Sequence, residues 1–154
     1  IVESVKPDTV INIFRENKGR YLTNLGNNDY DLLRRMIYVM IYKGRAKVYG
    51  AFNEVNELCA GAFFVYSGRK VIFYFSATDE SARQNGAMPF LIDHFIRRHA
   101  GSHLTLDFEG SNDPNLARFY KSFGAKEVQY LHYKKNRLNP LLSAGVQLIK
   151  KFRR

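Results

Sequence analysis

The sequence contains no tryptophan, only four prolines and a single cysteine in 154 residues. Because Cys59 has no second cysteine to pair with, an internal disulfide framework is excluded, and a reducing, cytoplasmic location is expected. No apolar run approaches the roughly 20 residues that a membrane-spanning helix needs. The longest run, 58–66, instead predicts a buried strand.

Familiar metal and nucleotide motifs are also missing. The four histidines, at positions 94, 99, 103 and 132, do not show ligand spacing such as i, i+4 on a helix, so no metal site is expected. The sequence has neither a phosphate-binding GxxxxGK motif nor a nucleophile elbow. The chain therefore offers no sign of metal-dependent or serine-nucleophile chemistry.

What the chain does contain is enough apolar material for one folded domain. Hydrophobic residues make up 45% of it and aromatic residues 14%, which favours a packed core over disorder. We expect this domain to span residues 1–137 and a basic tail to span 138–154. No signal peptide is visible, and the missing initiator methionine leaves open that the chain is the C-terminal half of a longer protein.

The charge is strongly one-sided, with 24 Lys and Arg against 14 Asp and Glu, a formal net charge of +10. Such an excess favours an anionic partner, such as CoA phosphates, nucleic acid or an anionic membrane surface. It is equally compatible with solubility alone. From Lys134 to the end of the chain there are basic residues and no acid.

Hydrophobic periodicity predicts alternating helical and extended segments in an α+β order. Gly61 is predicted to mark a bulge or a close backbone approach, the segment 78–85 a polar loop, and Asn27-Asn28-Asp29 the cap of the second helix. The predicted helices are 6–17, 27–43, 86–100 and one beginning at Pro114, and the predicted strands are 46–53, 58–67, 69–77, 104–109 and 126–133.

The stretch from Leu104 to Ala125 is the most informative part of the chain. Apolar residues at 104, 106 and 108 alternate with polar residues at 105, 107 and 109, as in a half-buried strand. Turn formers follow, and Pro114 suits the first turn of a helix. Leu116, Phe119, Tyr120 and Phe123 then share one helical face. A strand ending in carboxylates and leading to a helix with a phenol predicts a catalytic cleft.

This arrangement resembles the GNAT acyltransferase fold, including the variety shared with FemABX-type transferases. The family's helix motif ends in an aromatic or leucine, a tyrosine, three residues and a glycine, and Phe119-Tyr120 and Gly124 match it. The predicted element order also matches. The resemblance implies an α+β, GNAT-like fold with a central mixed, mostly antiparallel sheet flanked by helices. It also implies an N-acyltransferase that uses acetyl-CoA or another acyl-CoA and acts on a small-molecule or peptide amine.

The resemblance further implies where the acyl-CoA binds. Free N–H groups at a helix start favour anions, and a glycine lets the backbone approach a phosphate. In the family this turn reads Arg or Gln, two residues, Gly, one residue and a small residue, and here Met88 replaces the small one. The implied contacts are Arg83, Gln84, Asn85, Gly86, Ala87 and Met88 for the phosphates, and the backbone of Phe75, Ser76 and Ala77 for the pantetheine arm. Asn112 and Asn115 are predicted either to contact that arm or to cap their helix.

The resemblance places a general acid at Tyr120, because a phenol with a pKa of about 10 can protonate a departing thiolate. Glu109, nearest the loop, is the predicted base that accepts a proton from the amine. The alternative reading makes Tyr120 a core residue. In the same alternative reading, Glu109 is a structural carboxylate that accepts hydrogen bonds from loop N–H groups or pairs with Arg118.

Two other functions stay open from the sequence. A FemABX-like protein would take its group from aminoacyl-tRNA, act on cell-wall precursors and pair with a second GNAT-like half, and the basic charge suits such a partner. A non-catalytic, GNAT-like binding module is the other alternative.

Overall fold

The computed structural model describes residues 1–110, 112–131, 133 and 135, and the predicted basic tail lies outside them. Five strands form one sheet in chain order. All neighbours are antiparallel except the last two, which run parallel. The predicted mixed, mostly antiparallel sheet is therefore confirmed. The strands are β1 (Val2–Glu3), β2 (Ala46–Phe52), β3 (Leu58–Ser67), β4 (Lys70–Thr78) and β5 (Thr105–Asp107).

Five α-helices and one 3₁₀ turn, Lys18–Tyr21, flank the sheet in the described part of the chain. No helix among the described residues is long and apolar enough to cross a membrane. The helices are α1 (Pro7–Glu16), α2 (Asn27–Tyr42), α3 (Glu80–Asn85), α4 (Ala87–Arg98) and α5 (Pro114–Lys121).

The two faces of the sheet carry separate cores. One face packs against α3 and α4, with Phe64, Phe73, Leu91 and Phe95 among its buried side chains. The other packs against α1 and α2. Both cores follow from the alternation of side chains along the strands, which sends neighbouring residues to opposite faces.

The close approach predicted at Gly61 is real. A Cβ at this position would lie 2.8 Å from Val10 Cγ1, and closer still to Cγ2. The absence of a side chain therefore lets α1 lie directly on β3. The irregularities in the pairing of β3 lie elsewhere. One falls between Ala51 and Phe52, where β2 pairs with β3, and the other between Phe63 and Phe64, where β3 pairs with β4.

A bulge in β4 changes which face its side chains occupy. Phe63 pairs with Phe75, whereas the next residue, Phe64, pairs with Phe73, so Tyr74 is an extra residue in β4. Phe73 consequently belongs to the α4 core and Phe75 to the α1 core. Bulges of this kind redirect side chains and often lie beside functional sites.

Three expectations about local structure were wrong or only partly right. The predicted loop 78–85 contains α3, because the carboxylate of Asp79 accepts the Ala82 N–H at 2.7 Å and caps it. The N-cap of α2 is Gly26, whose N–H donates to Asp29 Oδ2 at 2.7 Å, so of the predicted Asn27-Asn28-Asp29 only Asp29 takes part in the cap. The predicted strand 126–133 is irregular in its described residues, where Leu131 is fully exposed.

Candidate functional site

The parallel pair β4–β5 is much shorter than β4 itself. Only Lys70, Val71 and Ile72 pair with β5, while β3 pairs with β4 as far as Thr78. Among the described residues, the stretch from Phe73 to Thr78 thus has one unpaired edge. Six residues of strand span roughly 20 Å. A gap of that length with free alternate N–H and C=O groups can accept an extended, amide-bearing molecule as an added strand.

Phe75, Ser76 and Ala77 lie in this uncovered half of β4. Ala77 is buried and Phe75 and Ser76 are half-buried, because β3 and α1 cover the other sides of the strand. The side chains of Phe75 and Ala77 thus belong to the core against α1, while the backbone of all three residues lies along the gap. The structure places all three where the resemblance implied backbone pairing.

Tyr120 lies at the mouth of this gap. Its ring stacks on Phe108, just after β5, with centroids 4.4 Å apart, and meets Phe73 of β4 edge-on at 6.3 Å. The helix α5 thus spans the two strands at the point where they part. No described residue hydrogen bonds to the Tyr120 hydroxyl, and burial raises the pKa of this phenol above its usual value. The group is protonated at neutral pH and free to donate.

The two carboxylates at the end of β5 differ in their surroundings. Asp107 accepts the Glu109 N–H at 2.9 Å and the Lys70 ammonium at 3.1 Å. The bond from the Glu109 N–H, aided by Lys70, holds the pKa of Asp107 below its usual range, so Asp107 is a poor base. Glu109 lies in a left-handed turn with φ 58° and is exposed. Its predicted ion pair with Arg118 is absent from the described residues, since Arg118 donates to Asn115 instead.

Neither asparagine of the α5 region caps the helix. Asp113 takes that role and accepts the N–H groups of Asn115 and Leu116 at 2.8 and 3.4 Å. Asn115 Oδ1 accepts a hydrogen bond from Arg118 at 2.9 Å, and Asn112 is exposed. The capping prediction for Asn112 and Asn115 was therefore wrong.

The turn between α3 and α4 is the predicted anion site. Gly86 adopts φ 72°, and a Cβ there would meet nothing within 4 Å, so its backbone is open to a ligand. The side chain of Met88 is only 8% exposed and packs into the core. The long side chain in place of a small one therefore does not block this turn.

Fewer backbone donors are free here than a helix start normally offers. Asn85 Oδ1 already accepts the Ala87 N–H at 3.0 Å, the Gly86 N–H donates to Ala82 O, and Pro89 has none. This leaves the N–H of Met88. Nearby, Arg83 forms a 3.4 Å ion pair with Glu80, and Gln84 is exposed.

A hollow that the sequence did not suggest lies between α1 and α2. It has a volume of about 360 Å³, and Arg15, Arg20 and Tyr30 are among the residues that line it. The signal that could have found it is the basic run of Arg15, Lys18 and Arg20 around the glycine at 19.

Comparison with known proteins identifies the family. The family model described as "Acetyltransferase (GNAT) domain" matches residues 7–122. Since the match spans most of the chain, the protein belongs to this family and is a GNAT-type acyltransferase. No curated protein matches the chain closely enough to add to this assignment.

Solved structures show the same fold at low identity. A possible acetyltransferase from Clostridium difficile 630 has a TM-score of 0.63 and 15% identity over 90% of this chain and 97% of its own. An aminoglycoside acetyltransferase from an uncultured soil metagenomic sample, in complex with sisomicin, has a TM-score of 0.61 and 17% identity over 88% and 93%. AAC(6')-Iy, in complex with the bisubstrate analog CoA-S-monomethyl-acetylneamine, has 0.55 and 13% over 83% and 92%.

Proposed function

We propose that this GNAT-type acyltransferase takes its acyl group from acetyl-CoA, or a closely related acyl-CoA, and transfers it to the amine of a small molecule or peptide. The observation that carries the proposal is the uncovered half of β4 with the Tyr120 hydroxyl at its mouth. The pantetheine arm of CoA contains amides, and an amide-bearing chain is what a free strand edge binds best.

The donor phosphates are assigned to the turn between α3 and α4. The N–H of Met88 and the open backbone at Gly86 would hold one phosphate, and Arg83 would supply the positive charge. Because only part of the usual cradle is free, we expect the affinity for the donor to depend heavily on the arm in the gap. Gln84, Asn85 and Ala87 contribute the shape of the turn.

In the proposed reaction the acceptor nitrogen attacks the thioester carbonyl carbon, the carbon–sulfur bond breaks, and an N-acyl amide forms. Tyr120 gives its phenolic proton to the departing thiolate. Glu109, which has no ion-pair partner among the described residues, accepts the proton that the nitrogen loses. Backbone groups along β4 position the thioester, and this positioning supplies much of the rate enhancement.

The test combines binding with turnover. We expect acetyl-CoA to raise the melting temperature progressively as its concentration rises, and to release free thiol when amines are added. Absence of both at millimolar acetyl-CoA contradicts the proposal. The same protein would then be titrated with tRNA at several salt concentrations, since the aminoacyl-tRNA donor predicts a strongly salt-dependent affinity.

The cytoplasmic location and the domain boundary at residue 137 stay predictions from the sequence.

A further inference from the structure

The hollow between the end of α1 and the start of α2 is a cationic site with unbalanced charge. Arg15 donates to the neutral side chain of Asn27 and lies over the Tyr30 ring at 5.1 Å. Neither contact cancels the guanidinium charge. Arg20 is exposed, and its side chain makes no hydrogen bond or ion pair with any described residue. Two arginines thus line one hollow of about 360 Å³ without a carboxylate partner.

The hollow is built to stay open and in place. A Cβ on Gly19 would lie 2.6 Å from the Tyr30 hydroxyl oxygen and 3.0 Å from the Phe14 carbonyl oxygen, so the chain turns tightly beneath the arginines. Asp29, a carboxylate of the same region, is engaged with the N–H of Gly26 at 2.7 Å. The wall of the hollow is therefore held by packing and by hydrogen bonds.

Its position connects the hollow with the gap in the sheet. The Phe14 ring contacts Phe75 at 5.0 Å and Tyr30 at 6.5 Å. Phe75 belongs to the uncovered half of β4, so one aromatic ring separates that strand from the wall of the hollow. The hollow also lies on the α1 and α2 face, opposite the α4 turn assigned to the donor phosphates. The hollow thus lies on the face of the sheet that the donor phosphates do not occupy.

We propose that this hollow binds the carboxylate of the acceptor, and that the substrates are amines which carry a carboxylate at some distance from the reacting nitrogen. The inference rests on the proposed function and narrows it to amino acids, short peptides and similar acids. Arginine pairs with carboxylates through two parallel hydrogen bonds, and the Tyr30 hydroxyl adds a third donor. A polycationic acceptor would be repelled from the same site.

The test compares acceptors that differ only in this charge. Glycylglycine and glycylglycinamide have amines of similar basicity, but only the first has a carboxylate. With acetyl-CoA as donor, we expect kcat/KM for free-thiol release to favour glycylglycine about tenfold, the range of a charge-assisted hydrogen bond. In Arg20→Gln the preference should be reduced, and in the double variant Arg15→Gln/Arg20→Gln it should fall to near one. Lys43→Gln, an exposed cation at the far end of α2, serves as the matched control and should keep it.

A binding measurement separates failure of this inference from failure of the enzymatic one. In amide NMR spectra, glycylglycine should shift the Gly19 and Gly26 signals saturably, and glycylglycinamide should not. These shifts should weaken in Arg20→Gln and vanish in Arg15→Gln/Arg20→Gln. If thiol release is absent but the shifts occur, the proposed acyl donor is wrong, whereas carboxylate binding in the hollow is supported. Equal use of both dipeptides, a preference that survives in Arg15→Gln/Arg20→Gln, or the same shifts with both dipeptides overturns the inference.

Discussion

Both halves of β4 pair with β3 on one side, but they differ in whether β5 covers the other side. From Lys70 to Ile72 the strand is paired with both β3 and β5, whereas between Phe73 and Thr78 its only pairing among the described residues is with β3. The bulge at Tyr74 lies within the second half and places Phe73 and Phe75 in different cores. The first half is ordinary sheet interior. The second half buries Phe73 and Ala77 in the two cores while leaving backbone groups for a ligand, so the same strand provides both stability and a binding edge.

The largest expected effect is at the mouth of the uncovered half. Tyr120→Phe should lower kcat about 100-fold, the lower range for loss of a general acid, without loss of stability because the hydroxyl has no described partner. Tyr42→Phe, on an exposed side chain of α2, is the matched control and should be neutral. Thiol-release kinetics and urea unfolding measure the two properties. Full activity of Tyr120→Phe would remove this residue from the mechanism.

The pH dependence follows from the direction of the Tyr120 shift. Burial raises the pKa of this phenol, so the proton needed for the thiolate is retained throughout the range from about pH 7 to 9. Between pH 7 and 9, kcat should therefore show no fall that depends on Tyr120. Any pH dependence in this range should be the same in the unchanged protein and in Tyr120→Phe. A falling limb near neutral pH that requires Tyr120 would contradict its role as a proton donor.

The next effect concerns the support beneath the uncovered half. Gly61→Ala inserts a Cβ into the Val10 side chain, and overpacking of this kind lowers the free energy of unfolding by about 1–3 kcal/mol. Adding Val10→Ala makes room for the new methyl group. In a urea-unfolding cycle the double variant should therefore lose less than the sum of the two single losses. Additive losses would show that α1 does not lie as closely on β3 as the structure has it.

Tyr49, a buried tyrosine of the sheet, should affect stability and leave activity unchanged, which is the opposite of what we expect for Tyr120. Burial, with a further contribution from Tyr66, raises the pKa of Tyr49 well above its usual value. A raised folded-state pKa adds stability below the unfolded value near 10, and this stability is lost as pH rises through the folded value. Tyr49→Phe should therefore leave kcat unchanged and reduce the loss of unfolding free energy above about pH 10. An unchanged alkaline profile would contradict the assignment.

The smallest effect is expected where β5 joins the covered half. Lys70→Met removes an exposed ion pair with Asp107, and such pairs contribute little. The lowered pKa of Asp107 also rests on the Glu109 N–H, which the variant keeps. The contribution of Asp107 is present above the unfolded pKa near 4 and is lost as pH falls below it. Only a slight fall in the urea midpoint is expected at pH 7, and no fall once Asp107 is protonated. A large fall would mean that this pair holds β5 in place.

The sequence predicted the long elements well because each carries its own periodic pattern. The strand 58–67 was predicted with the bounds that the structure shows, and the ends of α1, α2 and α4 lie within two residues of their predicted bounds. Short elements were missed: β1 has only two residues, and α3 depends on a single cap at Asp79. The alternating segment 126–133 predicted a strand, but a strand also needs a partner edge, and pairing is a tertiary property that no local pattern contains.

The candidate site was predicted only where a local sequence pattern marks its residues. Tyr120 could be found because it shares a helical face with aromatic residues and precedes a glycine at family spacing. The length over which β5 pairs with β4 could not be read from either strand. The engagement of Asn85 with the Ala87 N–H and the cationic hollow between α1 and α2 also depend on contacts between separate segments.

The most direct test of the central claim compares the two halves of β4 within one experiment. Amide hydrogen exchange of β4 would be followed with and without saturating acetyl-CoA. Our account predicts that at least one amide between Phe73 and Thr78 becomes strongly protected on binding, while Val71 and Ile72, already covered by β5, change little. Binding of acetyl-CoA without added protection in the second half of β4 would contradict the claim that this edge receives the acyl donor.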